Sequence, residues 1–239
     1  MALKVFVDFD GTIARHDVGE AFFREFGGPE CDNVIEEYRA GLISAKECFR
    51  RETEAIGTLN EQAAHAFLRH QPIDEGFRRF VGFCRENNIE SHVVSDGLDY
   101  YIKEILVANG LGDVSFFANR FEFHRDNNGG SRPEISFPYD DAECTRCACC
   151  KRNIMLTHSG DEDVIVYVGQ GYSDHCPVRY ADIVFAKEGL QIFCQRRNIS
   201  YYPYNTLFDV VERLKVLLVN KLRKRHRAEL NRREAFMSE

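Results

Sequence analysis

The chain has 239 residues, 44% of them hydrophobic, and a formal net charge of −7. That is enough apolar material for one domain with an insertion or for two small domains. The acidic balance argues against binding nucleic acid through its phosphates, and no apolar run approaches the ~20 residues that span a bilayer.

In chain order, Val5-Phe6-Val7 is an apolar, β-branched run that ends in Asp8-Phe9-Asp10-Gly11-Thr12. The run reads as a buried parallel strand. Alternation puts Asp8 and Asp10 on one side if the chain stays extended past the strand end. Acids at the carboxyl end of a first strand lie where open α/β sheets bind ligands. Such a pair raises its own pKa values unless a cation sits between, and Mg²⁺ suits carboxylate and phosphate oxygens. The other reading is an acid pair that caps a turn, and these residues alone leave both open. No charged region, apolar stretch and cleavage site precede the strand, so the expectation is a cytoplasmic chain.

Residues 16 to 71 read as helical. Val18, Ala21, Phe22 and Phe26 recur at helix spacing, with Asp17 as the N-cap and Gly27-Gly28-Pro29 as the stop. Ser44-Ala45-Lys46-Glu47 is a capping box opening a helix to Ile56. Asn60 caps another through Ala64, Phe67 and Leu68. Pro72 to Asn88 forms an amphipathic helix facing inward with Phe77, Phe80, Val81 and Cys84. A strand from Ile89 ends at Ser95-Asp96-Gly97, read as a turn, and Leu98 to Asn109 is helical until Gly110. Phe116 to Phe123 is a strand, Asp126-Asn127-Asn128-Gly129-Gly130 a turn, and a strand returns through Ile135 and Phe137. A cysteine-rich loop leads into a helix from Lys151 to Thr157. Asp163 to Gly169 is the clearest buried strand. Ile183 to Ala186 and Ile199 to Tyr202 are further strands, and Thr206 to Leu218 is a helix facing inward with Leu207, Val210, Val211, Leu214, Leu217 and Leu218. The basic run Lys221 to Arg227 reads as a solvated extension of that helix, or else as a patch for an acidic partner.

Asp8-Phe9-Asp10-Gly11-Thr12 resembles the first motif of the haloacid-dehalogenase-type phosphohydrolases. That family has three further motifs in order, and matching residues follow: Ser95 after a strand, Lys151 opening a helix, and Gly169-Gln170-Gly171-Tyr172-Ser173-Asp174 after the clearest strand. The resemblance implies an α/β fold, a Rossmann-like core with a parallel sheet and a small helical cap inserted after the first strand. On that division residues 1–15 and 72–218 are the core, with a β-hairpin and cysteine-rich loop at 116–150. Residues 16–71 are the cap and 219–239 a basic tail. The resemblance further implies that Asp8 is a nucleophile forming an aspartyl-phosphate and that Asp10 is the acid/base. Mg²⁺ would be held by Asp8, Asp10, Gln170 and Asp174, and phosphate by Gly11, Thr12, Ser95, Asp96, Gly97 and Lys151. One departure stands out. The family has an acid where Gln170 stands, so metal affinity is expected to be weaker, and a protein that only binds a phosphometabolite is the rival reading.

Cys144-Thr145-Arg146-Cys147-Ala148-Cys149-Cys150 precedes Lys151. Without an export signal, and with an odd total of nine, reduced thiols shaping the loop are one reading. A structural zinc on Cys144, Cys147, Cys149 and Cys150 is a second, and a redox role a third. A cysteine-rich segment at this place resembles the branch that holds the methionine-salvage phosphatase acting on 2-hydroxy-3-keto-5-methylthiopentenyl-1-phosphate and the phosphoethanolamine/phosphocholine phosphatases. The implied partner is a small phosphorylated metabolite such as these or phosphoserine, with no nucleic acid and no membrane. Asp17 and Glu20, beside Arg15, His16 and Phe23, are the candidates for choosing it.

Overall fold

Central in the sheet stands β1 (Leu3–Val7), whose Val5, Phe6 and Val7 are 0–1% exposed in the computed structural model. The structure describes residues 2–125, 131–142, 144, 146–220 and 222–237. Helices α1 (Val18–Gly27), α2 (Glu30–Arg39), α3 (Ala45–Ile56), α4 (Glu61–Arg69) and α5 (Phe77–Glu86) follow β1. Then come β2 (Glu90–Leu98), α6 (Asp99–Ala108), β3 (Phe116–Arg125), β4 (Ser131–Ser136), α7 (Lys151–Thr157) and β5 (Val164–Gly169). The remainder is β6 (Ile183–Ala186), α8 (Glu188–Arg196), β7 (Tyr202–Pro203), α9 (Leu207–Val219) and α10 (His226–Met237). The chain divides into one unit of Met1–Arg15, Ile73–Val94 and Lys151–Glu239, and another of His16–Pro72 and Ser95–Cys150.

In the first unit β1 pairs parallel with β2 on one side and β5 on the other, and β6 and β7 extend the sheet beyond β5, also parallel. A strand with parallel neighbours on both sides and helices over the sheet is buried on both faces, which is why its sequence is a continuous apolar run rather than an alternating one. Val7 is in register with Val168, and the Asp8 N–H donates to the Val168 carbonyl at 2.9 Å. Asp8 and Gly169 therefore leave the sheet at the same level, at the carboxyl ends where α/β sheets place their ligands. The α5 and α9 helices pack together. Asp74 staples them by accepting from the Gly76 and Leu207 N–H groups at 2.8 and 3.1 Å.

Several boundaries move from those the residues suggest. The α5 helix starts at Phe77 rather than near Pro72, because Ile73 bridges Ala14 and the Asp74 N–H donates to Ile13 at 2.7 Å. Ser95, Asp96 and Gly97 lie within the end of β2, not on a turn after it. The last strand shrinks to Tyr202–Pro203, because the Ile199 N–H is drawn to the end of α8, donating to the Cys194 carbonyl at 2.9 Å. The α9 helix stops at Val219, and Asn220 is extended, so the basic run does not prolong it. Lys221 and the predicted turn at 126–130 lie outside the described residues.

The second unit is built around aromatic rings. Phe22 meets Phe23, Phe26, Tyr100 and Phe121 at centroid distances of 5.0–6.0 Å. Caps set its helices: Asp17, Ser44 and Asn60 accept from the N–H groups of Glu20, Glu47 and Ala63. Gly28, at φ +81°, ends α1 in a conformation that other residues rarely adopt. β3 and β4 form an antiparallel hairpin, Arg120 facing Ser136. Glu52 on α3 is 4% exposed, and burial foremost pushes its carboxyl up to about 8, with Asp17 and Glu20 adding to the shift. No helix of the described residues is long and apolar enough to cross a membrane.

Candidate active site

The end of β1 and the loop after β5, both of the first unit, converge on one ammonium. The first turn of α7 delivers Lys151, 2% exposed, whose Nζ donates to Asp8 Oδ1 at 2.6 Å, Asp174 Oδ1 at 2.8 Å and Ser173 Oγ at 2.8 Å. All three of its protons are used. Asp8 comes from the end of β1, and its other oxygen accepts from the Thr12 hydroxyl at 3.2 Å. Gly11 turns the chain there at φ +71°, and a Cβ placed on it would lie 2.0 Å from Gln170 Nε2. The Gln170 amide thus lies directly over the Gly11 backbone.

Asp174 is fully buried, and its carboxylate is saturated. Oδ1 accepts from Lys151 and, at 2.5 Å, from the Tyr167 hydroxyl; Oδ2 accepts from the Gln170 and Gly171 N–H groups, both at 2.9 Å. Four donors fill the roughly four lone-pair positions that a carboxylate offers. Tyr204 closes the floor by donating to the Gly169 carbonyl at 3.2 Å.

The electrostatics follow from one cation serving two buried acids. Burial raises the Asp8 carboxyl, the Asp174 charge raises it further, and Lys151 pulls it back, leaving it at about 8. Burial works against the Lys151 charge, but Asp174 and Asp8 outweigh it and hold the ammonium protonated. A further cation at this point would therefore favour ionised Asp8.

Hard oxygen donors for Mg²⁺ are present in the Asp8 carboxylate, the Asp10 main chain and the Gln170 amide. Asp174 has no position to spare and fits only as an outer support. The set carries less negative charge than one with an acid at 170. Among the described residues no group of three or more His, Cys, Asp or Glu side chains is disposed to hold a metal ion. Among the described residues the zinc reading of the cysteine cluster thus finds no support in a preformed ligand set, although Cys147 bonds both Cys144 and Cys150. Cys144 and Cys147 bring their sulfurs to 3.6 Å, while Cys149 and Cys150 are buried. None of the nine cysteines is in a disulfide.

Ser95, Asp96 and Gly97 belong to the second unit. Ser95 is fully buried, and its hydroxyl accepts from the Gly97 N–H at 2.9 Å. Asp96 Oδ1 accepts from the N–H groups of Ala148 and Cys149, both at 2.7 Å, which anchors the cysteine loop. Asp17 accepts from Glu20 as a helix cap, and Glu20 is paired with Arg39 at 3.0 Å. Tyr167, Ser173 and Tyr204 are site neighbours that the sequence reading did not single out for a role. The signal for Tyr167 is a hydroxyl in a wholly buried strand, where it must find a partner.

The family described as Putative Phosphatase matches residues 3–203. A 2-hydroxy-3-keto-5-methylthiopentenyl-1-phosphate phosphatase of Bacillus cereus is 30% identical over 93% of this chain and 100% of its own length. One of the same name from Exiguobacterium sibiricum is 29% identical over 90% of this chain and 97% of its own. A phosphoserine phosphatase structure holding a phospho-aspartyl intermediate analogue aligns with TM-score 0.64 and 18% identity, over 89% of this chain and 98% of that one. The phosphoserine phosphatase of T. onnurineus gives 0.64 and 19%, over 90% and 95%. These two likenesses concern the fold.

Proposed function

This chain belongs to the Putative Phosphatase family, and we propose that it hydrolyses a small phosphate monoester in two displacements at Asp8. Asp8 attacks phosphorus and forms an aspartyl-phosphate while Asp10 gives a proton to the departing oxygen. Asp10 then takes a proton from water, whose oxygen attacks the phosphorus and releases Asp8 and inorganic phosphate. Lys151 holds the attacking carboxylate in place and offsets the charge that gathers around it. The main chain near Gly11 holds the phosphoryl oxygens, and Ser95 and Gly97 are assigned the same task on the family motif alone. Asp8, the Asp10 carbonyl and Gln170 would hold Mg²⁺, which would supply charge to offset that of the phosphoryl group.

One observation carries this reading: a buried lysine bonded at once to Asp8 and Asp174. Such a lysine orients Asp8 within a buried charged cluster, which a turn cap would not need. The favoured substrate is 2-hydroxy-3-keto-5-methylthiopentenyl-1-phosphate, named for relatives that align over nearly the whole chain. Phosphoethanolamine, phosphocholine and phosphoserine are the alternatives, and the helices α1–α4 are taken as the cap that selects among them.

The test is phosphate release from an aryl phosphate with and without Mg²⁺, beside Asp8→Asn, followed by the four named metabolites. Mg²⁺-dependent release that disappears in the variant is expected. A parent that releases nothing from any of them, while Gln170→Asp releases phosphate readily, would replace this reading with a phosphometabolite-binding protein disabled at position 170.

A further inference from the structure

The basic run that the phosphatase reading leaves unused does not prolong α9, and its Arg225 is not left in solvent. Beyond residue 203, where the family match stops, the C-terminal segment returns to the sheet and grips three consecutive carbonyls. Arg225 Nη2 donates to Val178 at 2.7 Å and to Arg179 at 3.2 Å. Asn231 Nδ2 donates to Arg179 at 2.7 Å, and Arg232 Nη1 to Tyr180 at 2.5 Å. These oxygens close the short turn Pro177–Arg179, where a helix end leaves its carbonyls without partners of their own.

The grip is itself anchored. Asp182 Oδ1 accepts from the Arg225 N–H at 2.9 Å and from Arg232 Nη2 at 3.0 Å, and its Oδ2 accepts from the Ile165 N–H of β5 at 3.0 Å. The Asp182 side chain is fully buried and that of Arg232 is 13% exposed. Ala228 of α10 is fully buried. Arg225 Nε and Nη1 are buried without a hydrogen-bond partner among the described residues. Holding a guanidinium that way is unfavourable, so its placement is not that of a loose surface arginine.

Only four positions separate Val178 from Asp174, and the same short stretch must present Ser173 and Asp174 to Lys151. We infer that Arg225, Asn231 and Arg232 are positioning residues, a C-terminal clamp that fixes the far end of the loop bearing Ser173 and Asp174. Its consequence for catalysis rests on the phosphatase reading; its consequence for the loop does not.

The test uses the full chain with Arg232→Ala, Arg232→Lys and Asn231→Ala. Hydrogen exchange is read separately on peptides from 170–177 and from β1, beside kcat and KM on an aryl phosphate. Loss of a charge-assisted bond predicts about tenfold faster exchange in the loop and about tenfold lower kcat in Arg232→Ala, with KM changed by less than about twofold. Asn231→Ala shifts both in the same direction by less, Arg232→Lys restores part of the loss, and β1 exchange stays at the parent rate. Unchanged loop exchange in Arg232→Ala and Asn231→Ala overturns the clamp. So does acceleration of the loop and β1 alike in both variants, the mark of a general stabiliser. A parent without phosphatase activity would remove the Proposed function, and loop exchange would still decide the clamp.

Discussion

Gly11→Ala tests how the nucleophile loop is built. The left-handed backbone at φ +71° costs a residue with a Cβ about 1–2 kcal/mol. The new methyl would also stand 2.0 Å from Gln170 Nε2, so the glutamine amide has to swing away. Because that atom is the end of a flexible side chain, displacing it adds only about 0.5–1.5 kcal/mol. For a chain of this size the two together lower the melting temperature by about 3–14 °C. Chemical melts of Gly11→Ala, Gln170→Ala and the double variant separate the contributions. The backbone strain persists in the double variant, whereas the collision is gone, so its loss is smaller than the sum of the singles by about 0.5–1.5 kcal/mol. Additive losses, within about 0.3 kcal/mol, would mean that Gln170 does not lie over Gly11. A Gly11→Ala protein as stable as the parent would refute the strain argument as well.

Lys151→Met removes the cation that Asp8 and Asp174 share and leaves the buried Asp174 carboxylate without its ion pair; urea melts at pH 7.5 should show a loss of about 3–5 kcal/mol. Glu52 is a pH lever of the opposite kind. Burial raises its folded pKa to about 8 from 4.5, so the folded state binds the extra proton and stability is greatest below pH 4.5, falling as pH rises to about 8. Glu52→Gln should therefore melt with the parent at pH 4.5 and above it at pH 8.5 by about 2–4 kcal/mol of stability; equal melts at both values would show that the acid is not desolvated. Gln170→Asp adds a carboxylate beside the nucleophile loop, and a Mg²⁺ titration of activity should reach half-maximum at about tenfold lower concentration.

Much of the core was legible because its signals are local. A fully buried parallel strand is an apolar run, and β1 and β5 are the two longest such runs that stop at a glycine or an acid. The caps at Asp17, Ser44 and Asn60 are hydrogen bonds within three residues, so sequence alone exposes them. Other features depend on distance in the chain. The Lys151–Asp8 bond spans 143 residues, and only the family resemblance, not any periodicity, suggested pairing them. Ser95 was read as a turn because serine and glycine favour turns, yet Ser95-Asp96-Gly97 stays in β2. The basic run was read as a helix extension because nothing near it reveals Asp182, a single buried carboxylate 43 residues before Arg225. The last strand was overextended for a similar reason: Ile199-Ser200-Tyr201 has strand-forming residues, yet the Ile199 N–H is taken by the end of α8 and pairing begins only at Tyr202.

The central place of β1 has a consequence for how the protein is made. Its strand is synthesised before both partners that cover it, and its companion β5 lies 161 residues further along, judged by the Ala2–Asp163 contact. At about 5–20 residues per second the gap lasts roughly 8–32 s. During that interval β2 can cover only one edge of β1, and the other edge of this apolar strand stays open to neighbouring nascent chains. Yield in rapid overproduction should thus be governed by whatever shelters the first strand, and slower translation or a holding chaperone should raise it more than any change to the finished fold.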